Sequence, residues 1–203
     1  MESWYALLPT LAGPLLAVAG RDGLRHLHIL PEADAAASTL ARLVRADASR
    51  AAAGRADAGR ADAVRADAGH PPMVAQDAHR FKDLAAQLGE YFVGRRQRFE
   101  LALAPRGTEF QRRVWTQLRA IAHGDLRSYS QLAADLGCPG AARAVGQAAA
   151  QNPLPILIPC HRLLGTDGSL VGFAGGNDLK ARLLRLEGHT LAAGERIRPP
   201  QLF

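Results

Sequence analysis

Cysteine is scarce in this chain: two residues among 203, Cys138 and Cys160. Two thiols cannot build a disulfide framework, and without any C-x-x-C pair the usual zinc-ligand spacing is missing. Long apolar runs are missing too. Nothing approaches the roughly 18 consecutive residues that a membrane-spanning helix needs. The opening MESWYALLPTLAGPLLAVAG lacks the basic flank of a secretion signal. These absences predict a soluble, cytoplasmic chain in a reducing compartment, with no membrane partner and no metal.

What is present begins with enough apolar material for a core, 48% of the residues, in a length that suits one or two domains. The formal charge of +6 is unevenly placed. Residues 1–104 hold 13 basic and 12 acidic side chains, whereas residues 105–203 hold 12 and 7. A basic second half suggests a polyanionic partner, nucleic acid first and a membrane surface second; the alternative is the solvated surface of an alkaline protein.

The early segments SWYALLPT, PLLAVA and LRHLHIL read as strands of a small antiparallel sheet, the last entered through a turn at Arg21–Gly23. From Arg45 a five-residue repeat of Arg, Ala, Asp and Gly follows. A period of five generates no continuous apolar stripe, so residues 45–72 are expected to be a disordered insertion; a DNA-touching arm is the other reading. Between Val74 and Val93, Phe81, Leu84, Leu88, Tyr91 and Phe92 recur at helical spacing, and Gly94 ends that helix. QRFELAL then alternates as an outer strand, with Phe99, Leu101 and Leu103 on one face. A domain boundary falls at about 105–107.

Beyond it, Thr108-x-x-Gln111 and Ser128-x-x-Gln131 both have capping-box spacing. The first opens a helix with Phe110, Val114, Leu118 and Ile121 on one face. The second opens a short helix, YSQLAADL, ended by Gly137. A third helix, rich in small residues, is expected from Pro139. A short helix, a glycine turn and a second helix have the outline of a helix-turn-helix.

NPLPILIPCHRLLG, residues 152–165, presents one of the two cysteines between a proline and a histidine. A structural cysteine usually has apolar neighbours; this one is displayed. With it in place, residues 107–189 resemble the catalytic domain of O6-alkylguanine-DNA alkyltransferases, most specifically in the I-P-C-H-R core and the upstream Asn152–Pro153 pair. The resemblance implies an α+β fold: a small N-terminal α/β domain (1–104), then a mainly helical, winged-helix-like catalytic domain (105–190) and a C-terminal tail (191–203). It implies direct-reversal DNA repair by a monomer on double-stranded DNA, with irreversible alkyl transfer from O6 of guanine to Cys160 and no cofactor.

The resemblance also assigns roles. Cys160 is the acceptor, assisted by His161 and Glu187, with Asn152 as hinge and Tyr129 as a contact to the base. Arg143 fills the gap left by an extruded nucleotide, and Ser128, Ala141, Ala142 and Gly146 lie along the DNA-facing helices. Pro155, Gly172, Phe173 and Ala174 belong to the base pocket. Phe173 stands where the family commonly has Tyr, and Ala174 where a hydroxyl residue is frequent.

Each role has a chemical reason. A thiolate is the competent nucleophile, and a free thiol near pKa 8.5 (about 8.5) needs a base or a positive neighbour. His161, adjacent in sequence, points away from Cys160 if the pair is extended, so contact is expected through a water, with Glu187 orienting the imidazole. The reacting oxygen lies inside a base stack, so the nucleotide must be extruded. Two other classes fit less of the chain. A damage reader without chemistry has no use for Cys160, and a Cys–His hydrolase leaves Arg143 and the helix pair without a task. A regulator fused to a zinc module lacks the cysteines. Cys138, in a turn with no acid–base partner, reads as structural.

Overall fold

The computed structural model describes residues 2–43, 45–46, 74–173, 175–192 and 196–197. Of the repeat tract, all but its first two residues lie outside the described residues.

The first half is built on three antiparallel strands, β1 (Ser3–Thr10), β2 (Gly13–Gly20) and β3 (Gly23–Ile29), as expected from the three apolar segments and the turns between them. Gly23, at φ 130°, could not be replaced easily: a Cβ there would meet the Ala102 carbonyl oxygen at 2.5 Å. That approach is where the chain returns to the sheet, with the Leu24 amide donating to Ala102 O at 2.8 Å. One sheet face, carrying Ala6, Leu15, Ala17 and Leu27, joins the main core. The other, with Leu16 and Val18, is covered by Leu43 from a helical run at 36–43.

Two expectations fail in this half. The helix does not begin at Val74. Val74–Gln76 is instead a fourth strand, β4, parallel to β1 and giving the order β3-β2-β1-β4. A single 3-10 turn, Ala78–Phe81, leads from it into helix α1 (Lys82–Phe92), which buries Leu84, Leu88 and Tyr91. Three residues are too few for alternation to show. QRFELAL is no strand: it opens on a bend at Gln97–Arg98 and meets the sheet through a bridge from Leu103 to Leu24. At Glu100 the Gln87 side chain replaces a strand partner, accepting from the backbone N–H at 2.8 Å and donating to the carbonyl at 3.2 Å.

The second half holds α2 (Glu109–Ala120), α3 (Tyr129–Asp135), α4 (Ala142–Ala150) and α5 (Gly176–Leu186). Short parallel strands β5 (Arg127–Ser128) and β6 (Leu163–Leu164) pair between them. Both capping boxes form, each with hydroxyl and amide satisfying one another's backbone donors. α4 starts later than expected: Gly140 sits at φ 94°, outside helical space, so Pro139 belongs to the turn and Ala141 is the N-cap. α3 and α4 pack together as a helix-turn-helix, and α4 also packs on α2. There the Trp115 indole donates to the Ala148 carbonyl at 2.9 Å.

The core is continuous across residues 105–107. One cluster of buried side chains includes Leu15, Phe81 and Tyr91 from the first half and Val114, Leu118, Val145 and Cys160 from the second. The Leu27 amide also donates to Pro153 O at 2.8 Å, fastening β3 to the segment before the cysteine. Trp4, at the far edge, lies under the Arg80 guanidinium at 3.7 Å. Among the described residues, no helix is long and apolar enough to cross a membrane.

Candidate active site

The segment between Asn152 and Cys160 is a folded-back loop. Pro153, Pro155 and Pro159 have no N–H to give a ladder, and the Ile158 amide instead returns to Leu154 O at 2.8 Å. Ile156, at the bend, adopts φ 74°. For a β-branched residue this conformation costs about 1–3 kcal/mol and requires surrounding contacts to hold it. Asn152 supplies some of them. Its Oδ1 accepts from the Leu154 amide at 3.0 Å, and its Nδ2 donates to Ile158 O at 2.8 Å. The same Nδ2 lies 3.2 Å from Cys160 Sγ. One amide thus closes the loop and puts a donor on the thiol.

Cys160 opens a 3-10 turn, Cys160–Arg162, and, against the sequence expectation of a displayed thiol, is buried in the core at 2% exposed. Burial pushes its pKa up, opposed by the Asn152 hydrogen bond and by the charge of Lys180. Lys180, on α5, is completely buried. Its Nζ donates to Leu163 O at 2.5 Å and to Val171 O at 2.7 Å. Burial lowers this lysine to about 8, with Cys160 acting the other way.

His161 turns its Nε2 to Glu187 Oε1 at 3.0 Å and makes no hydrogen bond to the thiol. Its Nδ1 is buried without a partner among the described residues. Burial depresses the imidazole pKa against the pull of Glu187. Glu187 is the most heavily bonded group in the site. Arg162 grips it with Nε to Oε2 at 2.9 Å and Nη2 to Oε1 at 2.7 Å. The Tyr91 hydroxyl donates to Oε1 at 2.8 Å, and the Gly124 amide to Oε2 at 3.4 Å. Burial alone would raise this carboxyl, but the bonds from His161 and Arg162 hold it well below the usual carboxylate range.

Tyr129, the first residue of α3, donates its hydroxyl to Val171 O at 2.9 Å. Burial, with a contribution from Cys160, raises it to about 12, so it remains a proton donor at neutral pH. A Cβ on Gly172 would crowd its hydroxyl at 3.2 Å, whereas one on Gly146 would make ordinary contact with its ring at 3.8 Å. Phe173 is buried edge-on to His161, ring centroids 6.2 Å apart. Ala174 lies outside the described residues. Pro155 is buried in the loop and lines a cavity toward β3 with His26 and His28. Ser128 is buried, its hydroxyl used as the α3 cap. Ala141 and Ala142 open α4, and Arg143 is exposed there, with no ion-pair partner among the described residues.

The structure therefore brings Cys160, His161, Glu187, Asn152 and Tyr129 into one site. Sequence reasoning missed three members. Arg162 carries no assigned role within the I-P-C-H-R motif, and the spacing of Tyr91 marks it only as an aromatic on a helix face. Lys180 had one available signal: at helical spacing it shares a face of α5 with Leu183 and Leu184, whereas Arg182 and Arg185 fall on the exposed side.

A buried thiol held by an asparagine and flanked by a histidine–carboxylate pair thus stands in one domain with a helix-turn-helix. The family model described as "6-O-methylguanine DNA methyltransferase, DNA binding domain" matches residues 109–189. A methylated-DNA--protein-cysteine methyltransferase of Mycolicibacterium paratuberculosis is 48% identical over 112 residues, 55% of this chain and 68% of that one. One from Methanosarcina acetivorans is 44% identical over 118 residues, covering 58% and 76%. The crystal structure of Mycobacterium tuberculosis O6-methylguanine methyltransferase superposes with a TM-score of 0.67 at 32% identity, covering 91% of this chain and 92% of that one. The structure of Mycobacterium tuberculosis OGT in complex with DNA gives 0.67 at 33% identity over the same shares. With this architecture and these relatives, the chain belongs to the methylated-DNA--protein-cysteine methyltransferase family.

Proposed function

We propose that the chain repairs alkylated DNA by direct reversal, with Cys160 as a single-use acceptor for the alkyl group on O6 of guanine in duplex DNA. The observation that carries this reading is the Asn152 amide 3.2 Å from Sγ, beside a buried His161–Glu187 pair. In the reaction the thiol proton passes to His161 Nδ1 through a bridging water. The sulfur attacks the alkyl carbon in line, an S–C bond forms, and the C–O6 bond breaks with its electron pair going to guanine. The Tyr129 phenol, poised as a donor, stabilises the negative charge developing on the departing base. The product is a thioether, and nothing in this site activates water to cleave it. Each molecule acts once.

DNA is bound through the helix-turn-helix, with the small residues Ala141, Ala142 and Gly146 permitting close approach. Arg143 occupies the space of the extruded nucleotide, offsetting part of the few kcal/mol that unstacking costs (about 2–4). Ser128 supports this surface from beneath by capping α3. Gly172 and Phe173 wall the base pocket, and Pro155 backs the thiol loop. In this reading the chain works as a cytoplasmic monomer, with residues 1–104 as a supporting domain, 105–190 carrying the chemistry and 191–203 as a tail. Mixing the protein with an O6-methylguanine duplex and taking an intact mass tests it. A gain of one CH2, mapped to the peptide containing Cys160, is expected. An unmodified mass, or modification at Cys138, overturns the assignment.

A further inference from the structure

The carboxylate that orients His161 is bonded from the other half of the chain. Tyr91 sits on α1, 96 residues before Glu187, yet its hydroxyl donates to Oε1, the oxygen that also faces His161 Nε2 and Arg162 Nη2. Buried tyrosines usually find some partner for the hydroxyl; here the partner is the functional carboxylate. We propose that Tyr91 is a positioning residue for alkyl transfer, fixing Glu187 and limiting how strongly that carboxylate holds a proton on His161. This rests on the repair function proposed above.

Oε1 has three donors around it, and each draws on the same negative charge. Removing one leaves a more basic oxygen for the two that remain, so the imidazolium is favoured. A base that must be neutral to accept the thiol proton is then occupied at higher pH. The charged and titratable groups facing this pair come from several elements. Tyr91 lies on α1, with the His123 ring edge-on to it at 6.2 Å, and Arg162 lies on the 3-10 turn. Lys180 of α5 acts on His161 by its charge, and burial depresses the imidazole overall. The Tyr91 ring is held independently by Phe92 and Phe99, at centroid distances of 5.5 and 5.3 Å, so its hydroxyl can be removed without removing the ring's packing.

Single-turnover transfer from an O6-methylguanine duplex, measured across pH with the full chain, tests the inference. Tyr91→Phe is expected to shift the acid limb of the rate profile upward by roughly half a unit to one unit, a several-fold loss near pH 6 that fades on the alkaline side (about 1 unit per 1.4 kcal/mol). DNA affinity should not move. 3-Fluorotyrosine at position 91, a stronger donor of the same shape, should shift the limb downward, and it keeps the test open if the phenylalanine variant folds poorly. Phe99→Leu serves as the packing control and should lower the melting temperature with the limb in place. An unmoved limb in both Tyr91 variants, or an equal shift in Phe99→Leu, overturns the inference. Wild-type transfer separates the two levels: with it present and the limb unmoved, only Tyr91 loses its role, whereas its absence overturns the repair function as well.

Discussion

At the residue scale, the nucleophile is controlled by what its neighbours donate. Asn152 both closes the loop and bonds the sulfur, and the two jobs can be separated. Asn152→Asp keeps the acceptor for Leu154 but replaces the donor at Sγ with a negative oxygen. It should transfer at least as slowly as Asn152→Ala, with both at least about tenfold below wild type near neutral pH. If Asp instead restores the rate, loop closure alone matters. Cys160→Ala should abolish transfer while leaving duplex binding intact in a gel-shift or anisotropy titration, because α3 and α4 do not depend on the thiol. His161 and Glu187 also set the acid stability. The imidazole is depressed from its ordinary 6.5, so the unfolded chain binds the proton more readily, and stability falls as pH drops below about 6.5. Glu187 is lowered from 4.5, so its contribution is fully present above that value and is lost as pH falls below it toward the depressed folded value. The melting temperature should therefore decline from pH 7 to pH 5, and less steeply in His161→Gln, which retains an N–H for Glu187 but cannot titrate.

At the scale of elements, local signals were the legible ones. Both capping boxes could be read because Thr108 and Gln111, or Ser128 and Gln131, meet within one turn. Ser128→Ala should accordingly cost about 1 kcal/mol in chemical denaturation, with α3 the first element to lose amide protection. The three antiparallel strands were equally plain, as short apolar runs separated by the turns at 11–13 and 21–23. β4 was not, because a three-residue strand is defined by its parallel partner β1, more than sixty positions away in sequence. QRFELAL had the pattern of a strand, but no sequence rule shows that Gln87 would take the backbone bonds of Glu100. In the site, resemblance located Cys160, His161, Glu187, Asn152 and Tyr129. Tyr91 stayed hidden because its hydroxyl meets Glu187 only after the halves pack, and Lys180 because its carbonyl partners, on Leu163 and Val171, are brought to it only by the folding of the second half. α4 carries the sharpest element-scale test. If Arg143 fills a vacated stack, Arg143→Ala should slow the saturating transfer rate on duplex DNA while sparing reaction with the free O6-benzylguanine base. A phosphate contact predicts weaker binding at every sequence, relieved at low salt, with the bound-state rate unchanged.

At the scale of the whole molecule, the chain's basic excess and its core lie on different plans. The charge is concentrated after residue 105, so duplex affinity should fall steeply with salt, and a weak dependence would move the DNA-binding surface elsewhere. The core ignores that division and runs from the sheet into α2, α4 and the thiol loop. The chain's two tryptophans happen to sit at opposite ends of this continuity, Trp4 under Arg80 on β1 and Trp115 buried against Ala148. They form a built-in pair of optical probes. With single-tryptophan variants, the emission of each half can be followed through a urea titration. A shared core requires the two curves to cross their midpoints together, so that the halves melt as one body and the fluorescence of either reports on both.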